Sequence, residues 1–219
     1  YEPGKVEQFF TKIFGDKLES VLMGITMVIS VILALGIFMV FPFFLTNLMK
    51  GFLPSYSIRT LIEGIIRVAL FLIYIWLISK MEDIKRVFMY HGAEHKTINC
   101  LEHGEDLTPE NIKKYSRLHK RCGTSFLLIV MIVSIVVFMF IRVDSLVWKF
   151  VLRILLVPVV AGISYEFIRL AGRSENPIVN ALSRPGLWLQ GLTTKEPDDS
   201  MIEVAIAAVE RVFDWRKYL

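Results

Sequence analysis

Residues 91–122 read HGAEHKTINCLEHGEDLTPENIKKYSRLHKRC, a polar stretch that begins at His91 and ends at Cys122. It holds all four histidines and both cysteines of the 219-residue chain. Long apolar segments flank it on both sides. We therefore expect this stretch to carry the functional site and the flanking segments to be membrane helices that hold it in place.

The composition is that of a membrane protein. The chain is 54% hydrophobic with a mean hydropathy of +0.55, which is too apolar for an ordinary soluble domain. The formal net charge of +4 is typical of bacterial membrane proteins with basic cytoplasmic loops, so binding of nucleic acid is not expected. Two cysteines do not form a disulfide framework, and in a reducing compartment they favour free thiols or metal ligands.

Four apolar segments are long enough to cross a bilayer. They are residues 21–48, 61–79, 123–141 and 146–168. In the first segment, Pro42 predicts a kink, because proline disrupts helix geometry. In the second, Glu63 and Arg67 lie four positions apart on one helical face, and this spacing predicts a mutual ion pair.

The basic residues indicate the orientation. The Lys and Arg counts are three in residues 1–20, two in 49–59, nine in 80–122, two in 142–149 and seven in 169–219. Cytoplasmic loops of membrane proteins carry an excess of Lys and Arg. We therefore expect both termini and the 80–122 segment to be cytoplasmic.

The predicted fold is an all-α integral membrane protein with about four transmembrane helices in two hairpins and a helical cytoplasmic cap. Its parts are an amphipathic lead (1–20), a first hairpin (21–79), the His/Cys-rich segment (80–122), a second hairpin (123–168) and a cytoplasmic tail (169–219). Within the tail, residues 180–192 predict an interfacial segment with a break at Pro185 and Gly186. A capping box at Ser200 predicts the start of a final amphipathic helix.

One face of a predicted helix over residues 82–102 carries a candidate metal site. His91, Glu94 and His95 give the order H-x-x-E-H, which is the zinc-peptidase motif in inverted form. In that chemistry two imidazoles bind Zn²⁺ and the glutamate is the general base, while a third ligand comes from elsewhere, for example from Glu166. Alternatively, both histidines are hydrogen-bonded at a helix packing surface.

A second pattern competes for the metal. Cys100-x2-His103 and His119-x2-Cys122 form two half-sites within the spacing of structural Cys2His2 zinc centres, which are closed and carry out no chemistry. The alternative is a pair of free thiols with two surface histidines. A third arrangement combines the two patterns in one mixed centre made of His91, His95, His119 and Cys122.

Several stretches closely resemble, almost residue for residue, the sequences of the YqhQ-like family of bacterial multi-pass membrane proteins. They are YHGAEHKTINC (90–100), LHKRCGTSFLLIVMIVSIVVF (118–138), SYEFIRLAGRSENP (164–177) and PGLWLQGLTTKEPDDSMIEVAIAA (185–208). The resemblance runs from about residue 10 to the end and implies a bacterial plasma-membrane protein of a family without an established activity. Such proteins are sometimes labelled predicted metal-dependent enzymes, because of the motif that is here His91, Glu94 and His95. Family members also carry a Gly-rich segment upstream, so we expect further residues to precede Tyr1.

Three classes of function remain open. The leading hypothesis is a non-enzymatic membrane factor, a scaffold or an assistant in membrane-protein assembly that contacts the bilayer and other membrane proteins. The second is a membrane-embedded, zinc-dependent hydrolase of peptides or lipids with Glu94 as the general base. The third is transport, which requires that Glu63, Arg67, Lys149 and Arg153 meet inside the bundle.

Overall fold

The computed structural model describes residues 18–53, 55–143, 145–212 and 214–217, and every regular element within these ranges is a helix. The predicted amphipathic lead lies outside the described residues except for its last turn. The chain divides into two compact units, residues 1–53 and 54–219, which are treated separately below.

The first unit contains one long apolar stretch of helix. Helix α1 spans Leu18–Leu35, a π-helical turn follows over Gly36–Val40, and α2 spans Phe41–Leu48. The departure from α geometry comes directly before Pro42, where a kink was predicted. Proline lacks an N–H, and its ring clashes with the carbonyl four residues earlier, so the helix widens at this point.

Besides a short 3₁₀ helix at Trp215–Lys217, the second unit contains seven α-helices in its described residues. They are α3 (Tyr56–Ile78), α4 (Glu82–Glu102), α5 (Pro109–Ile112), α6 (Gly123–Phe140), α7 (Leu146–Ala171), α8 (Pro177–Thr193) and α9 (Asp199–Val212). Helices α3, α6 and α7 are long and apolar enough to cross a membrane, as is the continuous helical stretch of the first unit. The prediction of an all-α fold with four candidate membrane spans is confirmed.

The second span begins about one turn earlier than the predicted start at Leu61. Polar side chains in this extra turn are hydrogen-bonded to the end of α6. The Tyr56 hydroxyl donates to Ile141 O at 2.7 Å, and Ser57 Oγ donates to Met139 O at 3.3 Å. Because these bonds satisfy the polar side chains of Tyr56 and Ser57, which precede the predicted span, α3 extends to Tyr56.

The ion pair predicted between Glu63 and Arg67 is confirmed, with 2.9 Å between Arg67 Nη2 and Glu63 Oε1. Arg153 of α7 binds the same carboxylate oxygen. Lys149 lines a small cavity beside them. The charged residues considered for transport are therefore close together.

Capping residues set the helix starts. Thr108 Oγ1 accepts a hydrogen bond from Asn111 N, with Pro109 as the first helical residue. Helix α9 starts one residue before the predicted Ser200. Its cap is the carboxylate of Asp198, which accepts from Met201 N at 3.0 Å and from the Ser200 hydroxyl at 2.6 Å. A carboxylate at the N-terminus is also favoured by the helix dipole, so Asp198 replaces Ser200 in this role.

The prediction of a break at Pro185 and Gly186 is wrong, since α8 continues through both residues. Gly186 instead allows α8 to approach α6. A Cβ at this position would lie 2.8 Å from Ser125 Cβ, which is closer than atoms can pack.

The helices of the second unit pack in two clusters. Helix α6 packs against α3, α7 and α8, while α4 packs against α5 and α9. The core between α4, α5 and α9 includes Ala93, Ile112 and Ile202, and the core between α3, α6 and α8 includes Leu128 and Leu189. The loop from residue 113 to Cys122 connects the two clusters.

Candidate metal centre

Three side chains that can bind a metal meet where α6 begins. His91 and His95 lie one turn apart on α4, and Cys122 is the N-cap residue of α6. Their ligand atoms all lie within 4.8 Å of one another, and they form the one such group found among the described residues. His91 Nε2 is 3.4 Å from Cys122 Sγ. Two ligands on a tetrahedral zinc ion are separated by about 3.5 Å, so His91 and Cys122 already have the spacing that an ion requires.

Both imidazoles are oriented through Nδ1. His91 Nδ1 donates to Thr193 O at 2.8 Å, and His95 Nδ1 donates to Arg117 O at 2.7 Å. A carbonyl oxygen only accepts hydrogen bonds, so in the neutral rings the proton is on Nδ1 and the lone pair is on Nε2. Metal-binding histidines are commonly held in this way by a partner on the other ring nitrogen.

Gly92 is required for the first of these hydrogen bonds. A Cβ at Gly92 would collide with Lys195 O. In this close packing, Lys195 N donates to Phe88 O at 2.8 Å, which holds the chain beside α4. The absence of a side chain between His91 and Ala93 therefore places Thr193 O within reach of His91.

The two segments that supply the carbonyls are joined by Glu196. Its carboxylate lies 3.0 Å from Lys96 Nζ and 3.4 Å from Arg117 Nε. The Arg117 guanidinium also donates to Thr194 O. Lys96 is buried and donates to the carbonyls of Lys113 and Tyr115, so α4 itself fixes the loop that carries Arg117 O.

Gln190 of α8 fixes the same loop from the other side. Its Oε1 accepts from His119 N at 2.8 Å, and its Nε2 donates to His119 O at 2.7 Å and to Ser125 Oγ at 2.6 Å. Gln190 is 0% exposed, and its bond with Ser125 is fully buried.

The electrostatics of the site favour a thiolate. Burial opposes ionisation of Cys122, but hydrogen bonds with His91, His95 and Thr124 outweigh burial and lower the pKa of the thiol to about 5. The hydrogen bond with Cys122, against the effect of burial, raises the pKa of His91. The thiolate is the form of cysteine that binds metals and acts as a nucleophile.

The predicted Cys2His2 arrangement is not assembled among these residues. Cys100 lies half a turn around α4 from His91, because residues nine apart on an α-helix point in opposite directions. It is 0% exposed in the hydrophobic core beneath α9, and burial raises the pKa of its thiol to about 11. His103 also points elsewhere, since its Nδ1 bonds to Asn99 O and its ring packs against Tyr115.

The other two candidate ligands are His119, which lies near the group, and Glu166, which lies outside it. The His119 ring centroid is 5.9 Å from that of His95, but His119 Nε2 bonds to Glu102 at 3.1 Å. His119 therefore lies beside the three-residue group without belonging to it. Glu166 pairs with Arg169 at 3.4 Å on the exposed surface of α7 and is not part of the group.

The group opens into a cavity of about 370 Å³. Glu94 is exposed and lines this cavity beside His91 and His95, and an ion pair of Arg121 with Glu102 forms another part of the wall. Three protein ligands with an open side and a nearby carboxylate are typical of catalytic metal sites, whereas structural zinc sites have four protein ligands.

The comparisons with known proteins place the chain in a family. Residues 5–215 match the family model "Protein of unknown function (DUF1385)". The chain is 43% identical over 180 residues to a protein of Bacillus subtilis (strain 168) described as "Uncharacterized protein YqhQ". The aligned part is 82% of this chain and 57% of that relative. No solved structure matches the chain. The resemblance to the YqhQ-like family is thereby confirmed, and the chain belongs to the DUF1385 family.

Proposed function

We propose that His91, His95 and Cys122 bind a divalent transition metal, with zinc as the expected ion, and that the protein is a metal-dependent hydrolase at a membrane surface. The observation that carries the proposal is the orientation of both imidazoles by backbone carbonyls, toward a thiol that faces an open cavity. Nitrogen and sulfur ligands together favour Zn²⁺ among the common divalent ions.

The side chains around the cavity have separate roles in this proposal. The metal, when bound, supplies Lewis acidity. Glu94 is the general base, because its exposed carboxylate lines the cavity and can accept a proton from water that enters there. Arg121 and His119, on the loop side, can hold an anionic or carbonyl group of the substrate.

A substrate with an apolar part suits the surroundings of the site. A second cavity of about 390 Å³ lies between α4 and α9, and Glu94 and Ile98 line both cavities. Its remaining walls are mostly apolar, including Leu101, Val204 and Val209. Because Cys122 caps a candidate membrane span, the site is expected at the depth of the lipid headgroups, where lipids or membrane peptides are available.

Elemental analysis of purified variants tests the metal centre. Wild type is expected to carry one equivalent of zinc after expression with added zinc, and His95→Ala and Cys122→Ala are expected to carry little. Cys100→Ala and His103→Ala are the matched controls, and both are expected to retain the metal. Loss of metal from the controls would instead favour the Cys2His2 arrangement, and a wild type without stoichiometric metal would refute the proposal.

Catalysis is tested separately with Glu94→Gln. This change keeps the ligands and the shape of the side chain but removes the base. The variant is expected to retain zinc and to lose product formation when it is incubated with bacterial membrane extract and the products are identified by mass spectrometry. Equal product formation by the variant would refute the role of Glu94.

The second candidate is a non-enzymatic membrane factor with a structural metal. It is favoured by the apolar cavity between α4 and α9, whose wall includes Val212 at 81% exposure. Such a surface can bind a helix of another membrane protein. In this case Glu94→Gln would have no effect in cells, whereas a charge at Val212 would abolish function and leave the metal content unchanged.

A further inference from the structure

The apolar cavity between α4 and α9, called here the α4–α9 groove, adjoins the cavity of the candidate metal centre. Its lining side chains include Tyr90, Thr97 and Leu101 of α4 and Val204, Ala208 and Val212 of α9. Glu94 and Ile98 line both cavities, and neither of these two residues is buried. One molecule can therefore occupy the groove and extend across Glu94 to the candidate metal ligands.

Small residues of α9 leave the groove open. Ile202 is buried in the core against α4, but Ala205 and Ala208 face the groove one and two turns later. An alanine side chain ends at Cβ and does not fill the space beside two helices whose axes are about 8–10 Å apart. The resulting apolar space of about 390 Å³ is much larger than the voids of a packed interior. An apolar space of this kind is typical of a binding site.

The length of the groove fits an acyl chain. Val204 and Val212 lie eight positions apart on α9, which corresponds to about 12 Å along the helix. Carbon–carbon bonds of about 1.5 Å in an extended chain advance about 1.25 Å each, so the groove accommodates about ten methylenes. One leaflet of the hydrocarbon core is about 15 Å thick, so the groove accepts most of the length of a membrane acyl chain.

The chemistry of the walls favours an acyl chain over an extended peptide. Apart from Tyr90, Glu94 and Thr97, the side chains that line the groove are aliphatic. The Thr97 hydroxyl already donates to Ala93 O at 2.9 Å. A peptide brings an N–H and a C=O with nearly every residue, and these groups are costly to bury without partners. An acyl chain has no polar group before its carbonyl, which would lie at the Glu94 end of the groove.

The groove lies where acyl chains are available. Tyr90 directly precedes His91, whose Nε2 is 3.4 Å from the Sγ atom of Cys122, and Cys122 caps the candidate span α6. On the other wall, Val204 is 53% exposed and Val212 is 81% exposed, so the groove is open along α9. Amphipathic helices at a membrane surface place such apolar side chains at the boundary between headgroups and acyl chains. A lipid chain can therefore enter the groove from the side.

We propose that the α4–α9 groove binds one acyl chain of a membrane lipid and that the ester carbonyl of this chain enters the metal cavity. This inference rests on the proposed hydrolase and names its substrate class. Hydrolysis breaks the bond between the carbonyl carbon and the alcohol oxygen, and the oxygen of water bonds to that carbon. Glu94 takes one proton from this water and passes it to the departing alcohol oxygen, so the products are a fatty acid and an alcohol.

Photocrosslinking of the whole chain in phosphatidylglycerol vesicles, with a chelator present, tests the groove without metal. The probe is phosphatidylglycerol with a diazirine near the end of one acyl chain, and labelled peptides are quantified by mass spectrometry. Peptides of the candidate span α6 are the internal reference. Wild type is expected to be labelled on α9 as well as on α6. Ala208→Trp is expected to lower α9 labelling by about tenfold, because the indole ring excludes at least two methylenes and each weakens binding by about fourfold.

Ala207→Trp is the matched control, since Ala207 is the neighbouring exposed alanine of α9 and does not line the groove. Its labelling is expected to equal that of wild type. If Ala208→Trp does not fold, Val204→Asp places a charge at an exposed lining position, and it is also expected to lower α9 labelling. Equal labelling of wild type and both tryptophan variants would show that α9 only touches the bilayer, and it would overturn the proposal. A wild type without label on α9 would also overturn it and would favour a helix of another protein as the occupant.

A second measurement distinguishes this inference from the hydrolase itself. Zinc-loaded wild type is expected to release fatty acid from phosphatidylglycerol vesicles, and Ala208→Trp is expected to release less while its zinc content is unchanged. Labelling of the groove without any release would leave a lipid-binding groove and overturn the ester as substrate. Products from membrane extract that depend on Glu94, contain no fatty acid and form equally with Ala208→Trp would retain the hydrolase and overturn the substrate class.

Discussion

Replacement of Gly92 by alanine tests whether the backbone carbonyls prepare the metal centre. The new Cβ would collide with Lys195 O, so residues 193–195 would have to retreat from α4 by about 1.4 Å to reach normal contact distance. The bond between His91 Nδ1 and Thr193 O is 2.8 Å long, and the same retreat would stretch it beyond hydrogen-bonding distance. His91 would lose its orientation, although all three ligands would still be present.

Gly92→Ala is expected to bind zinc about 10- to 100-fold more weakly than wild type. Loss of the group that orients a ligand has an effect of this size in other metal sites. The assay is competition for zinc with a fluorescent chelator. Gly123→Ala is the matched control, because Gly123 follows the ligand Cys122 and a Cβ there meets no atom within 4 Å. Its affinity is expected to equal that of wild type.

The shift of residues 193–195 is also expected to cost about 1–3 kcal/mol of stability. The melting temperature without metal must therefore be measured beside the affinity, to show that Gly92→Ala is folded. A folded Gly92→Ala that binds zinc as tightly as wild type would refute the role of Thr193 O.

Three further predictions concern other parts of the chain. In metal-free protein, the rate of alkylation of Cys122 by iodoacetamide is expected to reach its plateau above about pH 6, because the thiolate forms above a pKa of about 5. The rate for Cys100 is expected to rise toward pH 11, and equal pH profiles of the two cysteines in peptide mass spectrometry would contradict this prediction. Glu63→Ala is expected to lower the free energy of unfolding, measured with denaturant, by about 3–5 kcal/mol. The added change Arg67→Ala is expected to restore only part of this stability, since Arg153 then lacks its Glu63 partner. Full restoration would show that Arg153 has another partner. An impermeant thiol reagent applied to intact cells is expected to label a cysteine placed at Ser55 and to miss Cys100 and Cys122; labelling of the native cysteines would reverse the predicted orientation.

The helices could be predicted because their signals are local. A span depends on the length of an apolar run, and the cap at Thr108 and the pair of Glu63 with Arg67 depend on residues three or four positions apart. The same is true of His91 and His95, whose spacing places them on one face of α4.

Spacing left the partner of these histidines open among three arrangements. One of them was the mixed centre of His91, His95, His119 and Cys122, and the structure brings three of these four residues together. The pattern Cys100-x2-His103 suggested a zinc half-site, but α4 remains helical through Glu102 and directs Cys100 into the core beneath α9. The useful signal was topological. The segment with His91 follows the end of one candidate span, and Cys122 precedes the start of another, so both are expected at the same end of the helical bundle.

The role of α8 was missed for a different reason. Its apolar residues, such as Trp188, drew attention to the bilayer, but the buried face carries Ser183, Gly186, Gln190 and Thr193 at intervals of three and four. Helices that contact lipid on one side often use small and polar residues against the protein, because apolar side chains gain nothing by leaving lipid. This stripe was visible in the sequence and predicts the face that supplies Gln190 and Thr193 O.

The position of Cys122 connects the fold with the chemistry of the site. The first backbone N–H groups of α6 have no acceptors within the helix, and the helix dipole is positive at this end, which favours a thiolate at the N-cap. Helix α6 packs against α3, α7 and α8, whereas the two histidines belong to the cluster of α4 and α9. An ion held by His91, His95 and Cys122 would therefore link the two clusters at the loop between them. The hydrogen bonds of Gln190 and Glu196 already hold this loop in place, so the ligands are positioned before any ion binds, and metal affinity is not spent on ordering the chain.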